Sequence, residues 1–306
     1  MNYSLRPFHL DELAALVDLM NRSYADFGTD SSVRPDHVKL WLDDPNYELH
    51  VMTNADGALI GSVSFSYEVE AGTAWGEFVI EPDCRRAAVI AALLAHAEAR
   101  TLARAGEQSP LDVRFSVNRT AEDVIGVFQT RGYDYIRSSY RMQIALDAPI
   151  EAPIPDGIAI RPFDREQDAR AAHATYELVF REHYGFSEEP FEDWERRVLH
   201  FPGDDQSLWL IAWEGDQMVG FSFSRALVSR PNAAWVGNLG VLKTHRKRGI
   251  GEALLKCSFQ LFQKRGCTWA GLGVDASNAT GALQLYERAG MSVYLEFVNY
   301  RKGLRP

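Results

Sequence analysis

The chain repeats itself. Leu5-Arg6-Pro7-Phe8 returns as Ile160-Arg161-Pro162-Phe163, Ala74-Trp75 as Ala234-Trp235, Val117-Asn118 as Ser277-Asn278, and Tyr140-Arg141 as Tyr300-Arg301. Asp56-Gly57 and Ile60-Gly61 match Glu214-Gly215 and Val219-Gly220, and Arg131-Gly132 matches Ala289-Gly290. Every offset falls between 155 and 160 residues. Solenoid repeats end at about 45 residues, so this period describes two tandem copies of a whole domain. Leu146 to Gly157 (LDAPIEAPIPDG) holds three prolines and no helical or strand periodicity, which reads as an extended linker. The expected division is therefore 1–148, a linker at 149–157, and 158–306.

Each copy shows the same sequence of patterns. A strand opens it at Ser4–Pro7 or Ile158–Pro162. Amphipathic helices follow at Asp11–Tyr24 and Val33–Leu42, or Glu166–His183 and Phe191–Leu199. A hairpin turns at Asp56-Gly57 or Glu214-Gly215-Asp216. Then a strand leads into a helix, and a strand, a helix and a closing strand complete the copy. The order β-α-α-β-β-β-α-β-α-β predicts an α/β fold with a mixed sheet in each of two duplicated domains.

Charge narrows the partners. The chain carries a net charge of −10 in 306 residues, which argues against nucleic-acid binding through bulk positive charge. The distribution is uneven: residues 217–306 hold 4 acidic and 13 basic residues, whereas 151–216 hold 16 acidic and 6 basic. A basic segment inside an acidic protein points to a small anionic ligand. No apolar run approaches the roughly 18 residues of a membrane span. The start, MNYSLRPFHLDEL, does not have the form of a signal peptide, and three cysteines (Cys84, Cys257, Cys267) suit a reducing compartment. These observations lead to the expectation of a cytoplasmic protein with no membrane partner and no metal site.

The chemistry concentrates in the second copy. The strand ending near Leu242 is followed by Lys243-Thr-His-Arg246-Lys247-Arg248-Gly249-Ile250-Gly251, and then by a helix with apolar residues at Ile250, Leu254, Cys257 and Leu261. Glycines allow close backbone approach and positive φ, and N–H groups at a helix start form an anion site. Lys243, Arg246, Lys247 and Arg248 add positive charge, so the loop reads as a pyrophosphate cradle. It is neither a Walker loop nor a GxGxxG turn. Downstream, Asn278, Ala282, Tyr286 and Gly290 are spaced by four, placing Ala282 and Tyr286 on one helix face with Gly290 as its stop.

Arg-x-x-Gly-x-Gly followed by Asn-x3-Ala-x2-Leu-Tyr-x3-Gly-Met resembles the GNAT superfamily of N-acetyltransferases over residues 158–303, and the whole chain resembles the tandem type found in mycothiol synthase-like proteins. The resemblance implies two tandem GNAT-like domains and acetyl-CoA as cofactor. It implies that Arg246, Lys247, Arg248, Gly249, Ile250 and Gly251 hold the coenzyme pyrophosphate, that Leu239, Gly240 and Val241 bond the pantetheine arm, and that Asn278 also binds the arm. Tyr286 would point at the sulfur and act as general acid in direct transfer to a primary amine of a small molecule. Many members carry a glutamate on the strand before the loop, whereas this strand reads Trp235-Val-Gly-Asn238-Leu. The base is left open among Asp275, His183 and the pair Glu188/Glu189. The aromatics and acids of residues 183–194 favour a cationic amine with apolar parts. An alternative is a non-catalytic coenzyme-A-binding or scaffold module.

In the first copy the loop is Glu81-Pro-Asp-Cys84-Arg85-Arg86-Ala87-Ala88-Val89-Ile90, without glycine, and Phe128 stands where Tyr286 stands in the second. The first copy is expected to keep the fold and lack catalysis. Duplication supplies internally what single-domain relatives obtain by dimerising, so a monomer with a pseudo-dimeric domain pair is expected.

Overall fold

The computed structural model describes residues 3–29, 32–68, 72–105, 111–181, 186–200, 205–227, 230–277 and 281–305. The first copy runs β1 (Tyr3–Pro7), α1 (Leu13–Asp26), α2 (Pro35–Leu42), β2 (Tyr47–Asn54), β3 (Leu59–Glu68), β4 (Thr73–Ile80), α3 (Ala87–Arg104), β5 (Leu111–Asn118), α4 (Glu122–Thr130) and β6 (Asp134–Ala145). The second runs β7 (Ile158–Pro162), α5 (Arg165–Phe180), α6 (Phe191–Trp194), β8 (Leu210–Glu214), β9 (Gln217–Ala226), β10 (Ala233–Val241), α7 (Ile250–Lys264), β11 (Trp269–Asp275), α8 (Ala282–Arg288) and β12 (Ser292–Arg305). Both copies follow the order read from the sequence, and the fold is the expected mixed α/β one. Helix α5 stops at Phe180; His183 lies outside the described residues. Among the described residues no helix is long and apolar enough to cross a membrane.

The repeated residues have local jobs. Arg6 forks onto Glu12 at 2.5 and 2.8 Å, and Arg161 forks onto Asp168 at 2.7 and 2.8 Å, so each copy ties its first strand to its first helical segment by the same bidentate pair. Gly57 (φ +82°) and Gly215 (φ +55°) occupy the left-handed turn positions of the two hairpins. Asp164 caps α5 by accepting from the N–H groups of Glu166 and Gln167.

The chain forms two compact units, Met1–Ser139 with Leu295–Pro306, and Tyr140–Tyr294. In the first, the sheet order is β1-β2-β3-β4-β5-β12, antiparallel except for β4–β5. Alternate residues such as Val51 and Met52 feed a cluster under α1 and α2 and another under α3 and α4, so both faces are covered. In the second, the order is β7-β8-β9-β10-β11-β6, antiparallel along β7–β10 and parallel for β10–β11.

The closing strands are thus exchanged, and the compact units do not follow the linear division at 149–157. Tyr300 on β12 pairs with Phe115 and lies 5.3 Å from the Phe128 ring. Met142 on β6 is buried in the second unit with Phe259, Phe262 and Tyr286, and Trp269 donates its indole N–H to Gln143 at 2.9 Å. Tyr140-Arg141 and Tyr300-Arg301 are repeat equivalents, so each strand fits the other's seat; exchange of like elements is a low-cost rearrangement. The proline-rich segment lies on α7, where Gln260 donates to the Ile150 carbonyl and Gln263 to the Ala148 carbonyl, both at 2.7 Å.

Tyr300→Ala should lower stability by about 3 kcal/mol, the scale of a large-to-small aromatic core deletion. Hydrogen exchange should place the loosened amides in β5 and α4, and loosening confined to α7 and β11 would contradict the exchanged topology.

A histidine pair gives the first unit a pH dependence. His96 Nε2 and His50 Nδ1 are 3.0 Å apart, with Glu48 3.4 Å from His50 and Arg100 on Glu48. Burial, then the charges of His50 and Arg100, pushes His96 down to about 4 from 6.5. The unfolded chain therefore binds the extra proton first, so stability should fall as pH drops from about 6.5 towards 4. His96→Gln should flatten that slope in urea titrations run across the window.

Candidate functional site

The site begins where two parallel strands part. β10 and β11 pair only from Ala233–Trp269 to Val236–Leu272. Past Val236 a bulge at Gly237 shifts the register of β10 against β9, and Asn238–Val241 stay paired to β9 alone. A bulge bends its strand and re-aims the residues beyond it. The edge of β10 turned from β9 is left facing a cleft of about 580 Å³.

Helix α7 forms the second wall. Ile250 and Leu254 pack into one apolar cluster, and Leu255, Phe259 and Phe262 into another, each full burial worth about 1.5–3 kcal/mol. The apolar surface is broader than the predicted stripe, and Cys257 and Leu261 sit half-buried at its margin. The helix end aimed at the cleft is thereby fixed. Gly249, at φ +81°, is the N-cap, and Lys247 also adopts a left-handed φ of +63°. The first N–H groups of a helix have no intrahelical acceptor, and the dipole adds positive potential there. Close approach explains two glycines: a Cβ on Gly240 would lie 2.5 Å from Val179, and one on Gly251 would lie 3.0 Å from Leu285.

Side chains set the charge. Arg246 donates Nε–H to the Val241 carbonyl at 3.2 Å, tying the loop to the strand end. Glu214 accepts from Arg248 at 2.6 and 3.1 Å and lies 3.0 Å from His245 Nε2, fastening the loop to the β8–β9 hairpin. Across the cleft, Tyr286 on α8 is 8% exposed, and burial pushes its hydroxyl up to about 12. The phenol stays protonated at neutral pH.

Of the residues named from the sequence, Leu239, Gly240, Val241, Arg246, Lys247, Gly249, Ile250, Gly251 and Tyr286 all line this one cleft. Arg248 does not line it, being held by Glu214. Asn278 lies outside the described residues. None of Asp275, Glu188 and Glu189 lines it: Asp275 accepts from the Ser277 N–H, Glu188 pairs with Arg181 at 2.8 Å, and Glu189 pairs with Arg197. The sequence reading missed Val179, His245, Glu252, Leu285 and Arg288, which also line it. Glu252 and Arg288 carried a signal, since a helix-start carboxylate can pair at i+4 (Lys256, 2.8 Å) and across to α8 (Arg288, 3.6 Å).

Residues 172–291 match the family model described as acetyltransferase (GNAT) family. The segment that carries the cleft is therefore similar to the GNAT acetyltransferases. It is 29% identical over 276 residues to the mycothiol acetyltransferase of Salinispora tropica, covering 88% of this chain and 86% of that protein. It is 28% identical over 298 residues to the mycothiol acetyltransferase of Clavibacter michiganensis, covering 96% and 92%. A GCN5-related N-acetyltransferase from Sphaerobacter thermophilus superposes with a TM-score of 0.81 at 26% identity, covering 99% and 96%. A tandem GNAT protein from the clavulanic acid biosynthesis pathway shares the fold, with a TM-score of 0.78 at 14% identity over 100% and 99%.

The first GNAT-like copy handles the equivalent places differently. β4 pairs with β3 in continuous register and has no bulge. Arg85 binds Asp26 at 2.5 Å and Asp123 at 3.0 Å, so the chain's own carboxylates take its cationic loop. Phe128 is fully buried among Phe115, Tyr133 and Tyr300. Asn118 donates to the Phe27 carbonyl at 2.5 Å and accepts from Thr120, which is a structural duty.

Gly251→Val puts methyl groups against Leu285 and into the cleft. Calorimetry should show acetyl-CoA affinity falling at least tenfold while the melting transition stays cooperative; unchanged affinity would remove the loop from the binding surface.

Proposed function

We propose that this chain transfers the acetyl group of acetyl-CoA to a primary amine of a small molecule, by direct attack, in the second unit. The observation that carries this reading is the protonated Tyr286 hydroxyl bordering the cleft that opens at the free edge of β10. The cleft fits the coenzyme: its floor is the N-terminus of α7, its loop has two left-handed residues, and Lys243, Arg246 and Lys247 border it. Acetyl-CoA supplies the acetyl thioester. In this reading the amides of residues 249–251 and the neighbouring cations hold the pyrophosphate, and the main chain of Leu239–Val241 bonds the pantetheine arm. A main-chain N–H on the β10 edge faces the thioester oxygen and stabilises the negative charge that develops on attack. Tyr286 donates its proton to the sulfur that leaves. The name of the curated relatives, mycothiol acetyltransferase, supports acetyl transfer to a small molecule.

A second reading, a coenzyme-A-binding module without catalysis, draws on one observation. Glu252 is the only carboxylate among the described residues that line the cleft, and Lys256 and Arg288 engage it. Tyr286→Phe separates the two. Under the first reading the variant binds acetyl-CoA like the parent, and thiol release slows by about 100-fold. Parent protein that binds acetyl-CoA and releases no thiol over a broad amine panel supports the second. Equal turnover of parent and variant across the neutral range removes the acid role of Tyr286.

A further inference from the structure

Just before the stretch of β10 that faces the coenzyme cleft, the Gly237 bulge and Asn238 border a second cavity of about 220 Å³. Asn238 to Gly240 spans two residues, about 7 Å at strand rise, so this cavity opens beside the thioester end of the proposed coenzyme site. Trp209 and Phe223 border it, stacked with ring centroids 4.3 Å apart. The Trp209 indole N–H is already donated to the Ser224 carbonyl at 2.9 Å, so the stack offers the cavity an apolar face.

The charge of this cavity is positive. Arg197 and Arg225 both border it, and no carboxylate does among the described residues. Arg197 is committed to Glu189. Arg225 is exposed, makes no hydrogen bond or ion pair with a described residue, and brings Nη1 to 3.6 Å from where a Cβ on Gly237 would lie. Of the acids before it, Glu188, Glu189 and Asp193 pair with Arg181, Arg197 and Arg196, and none borders the cavity.

We infer that the acceptor is an amine that also carries a carboxylate: an amino acid or a molecule of that size, with its carboxylate on Arg225 and its apolar body against Trp209 and Phe223. This rests on the acetyl-transfer reading and specifies its substrate class. A planar guanidinium matches a carboxylate bidentately, and the bond is charge-assisted. The volume equals that of about seven waters, which accommodates an amino acid. In the transfer the amine nitrogen bonds to the acetyl carbon as the carbon–sulfur bond breaks, and the proton lost by the amine is balanced by the one gained by the thiolate. The product is an N-acetylamino acid and coenzyme A.

Calorimetry with acetyl-CoA on the purified full chain comes first; absence of binding there defeats the acetyl-transfer reading itself. Thiol release is then measured over the common amino acids, their carboxamides and the corresponding decarboxylated amines. At least one amino acid should exceed its carboxamide and amine at least tenfold in kcat/KM. Arg225→Ala should raise KM for that acid about tenfold or more and leave kcat and the KM for acetyl-CoA unchanged, with Arg225→Lys restoring part of the loss. The N-acetyl product, titrated in the presence of coenzyme A, should bind the parent and bind Arg225→Ala at least tenfold more weakly. Equal or better turnover of carboxamides and amines overturns the inference, as does a bound acetyl-CoA with no amino acid acetylated. An Arg225→Ala effect equal on acids and amides also overturns it.

Discussion

The strand pair that stops pairing is the constraint on which the second unit depends. A parallel pair packed along its whole length presents no free main-chain edge and no space between strands. β10 and β11 part after Val236, and the Gly237 bulge turns the end of β10 while leaving it bonded to β9. Leu239–Val241, beyond that bend, border the larger cleft, and Gly237 and Asn238, at it, border the arginine-lined cavity. In the first unit β4 and β5 likewise pair only to Gly76–Phe115, yet no bulge turns β4. The Phe115 ring fills the space, and a Cβ on Gly76 would collide with it. The same topology thus gives a site in one copy and an aromatic core in the other.

Electrostatics follow the same division of labour. The basic loop before α7 does not present all its cations to the cleft. Glu214 takes Arg248 and meets His245, which holds the loop against the hairpin and leaves Lys243, Arg246 and Lys247 at the border. One hairpin carboxylate therefore reduces mutual repulsion within a run of basic residues (Lys243, His245, Arg246, Lys247 and Arg248, broken only by Thr244) and orients the main chain. The helix dipole and the free first-turn amides add the part of the field that needs no side chain.

Much of this was legible in the residues. Period-two and period-3.6 patterns gave the element order of both copies, and the Gly249-x-Gly251 loop with Tyr286 four before Gly290 marked residues on both walls of the cleft. The strand exchange was not legible, because Tyr140-Arg141 and Tyr300-Arg301 carry the same pattern and no local rule decides which sheet each closes. The bulge was hidden because Gly237 reads like any strand glycine. The second cavity was hidden because Arg225 lies outside every motif, and Glu188, Glu189 and Asp193 are seen to be paired only once Arg181, Arg197 and Arg196 are placed beside them. Each miss concerns a partner distant in the chain or on the next turn, which composition and periodicity do not encode.

The exchange also gives the first copy, which has no loop glycine and Phe128 in place of a tyrosine, a part in the second unit. The second unit's sheet is closed by β6, a strand from the first copy, and Met142 and Ile144 on it pack into the cluster that seats Tyr286 and Met291. A Cβ on Gly290, the stop that ends α8 behind Tyr286, would lie 3.3 Å from Ile144. The position of Tyr286 therefore depends on the packing of residues 140–145, which belong to the closing strand of the first copy. The first copy thus supplies the closing strand β6, against whose Met142 and Ile144 the cluster around Tyr286 on α8 packs.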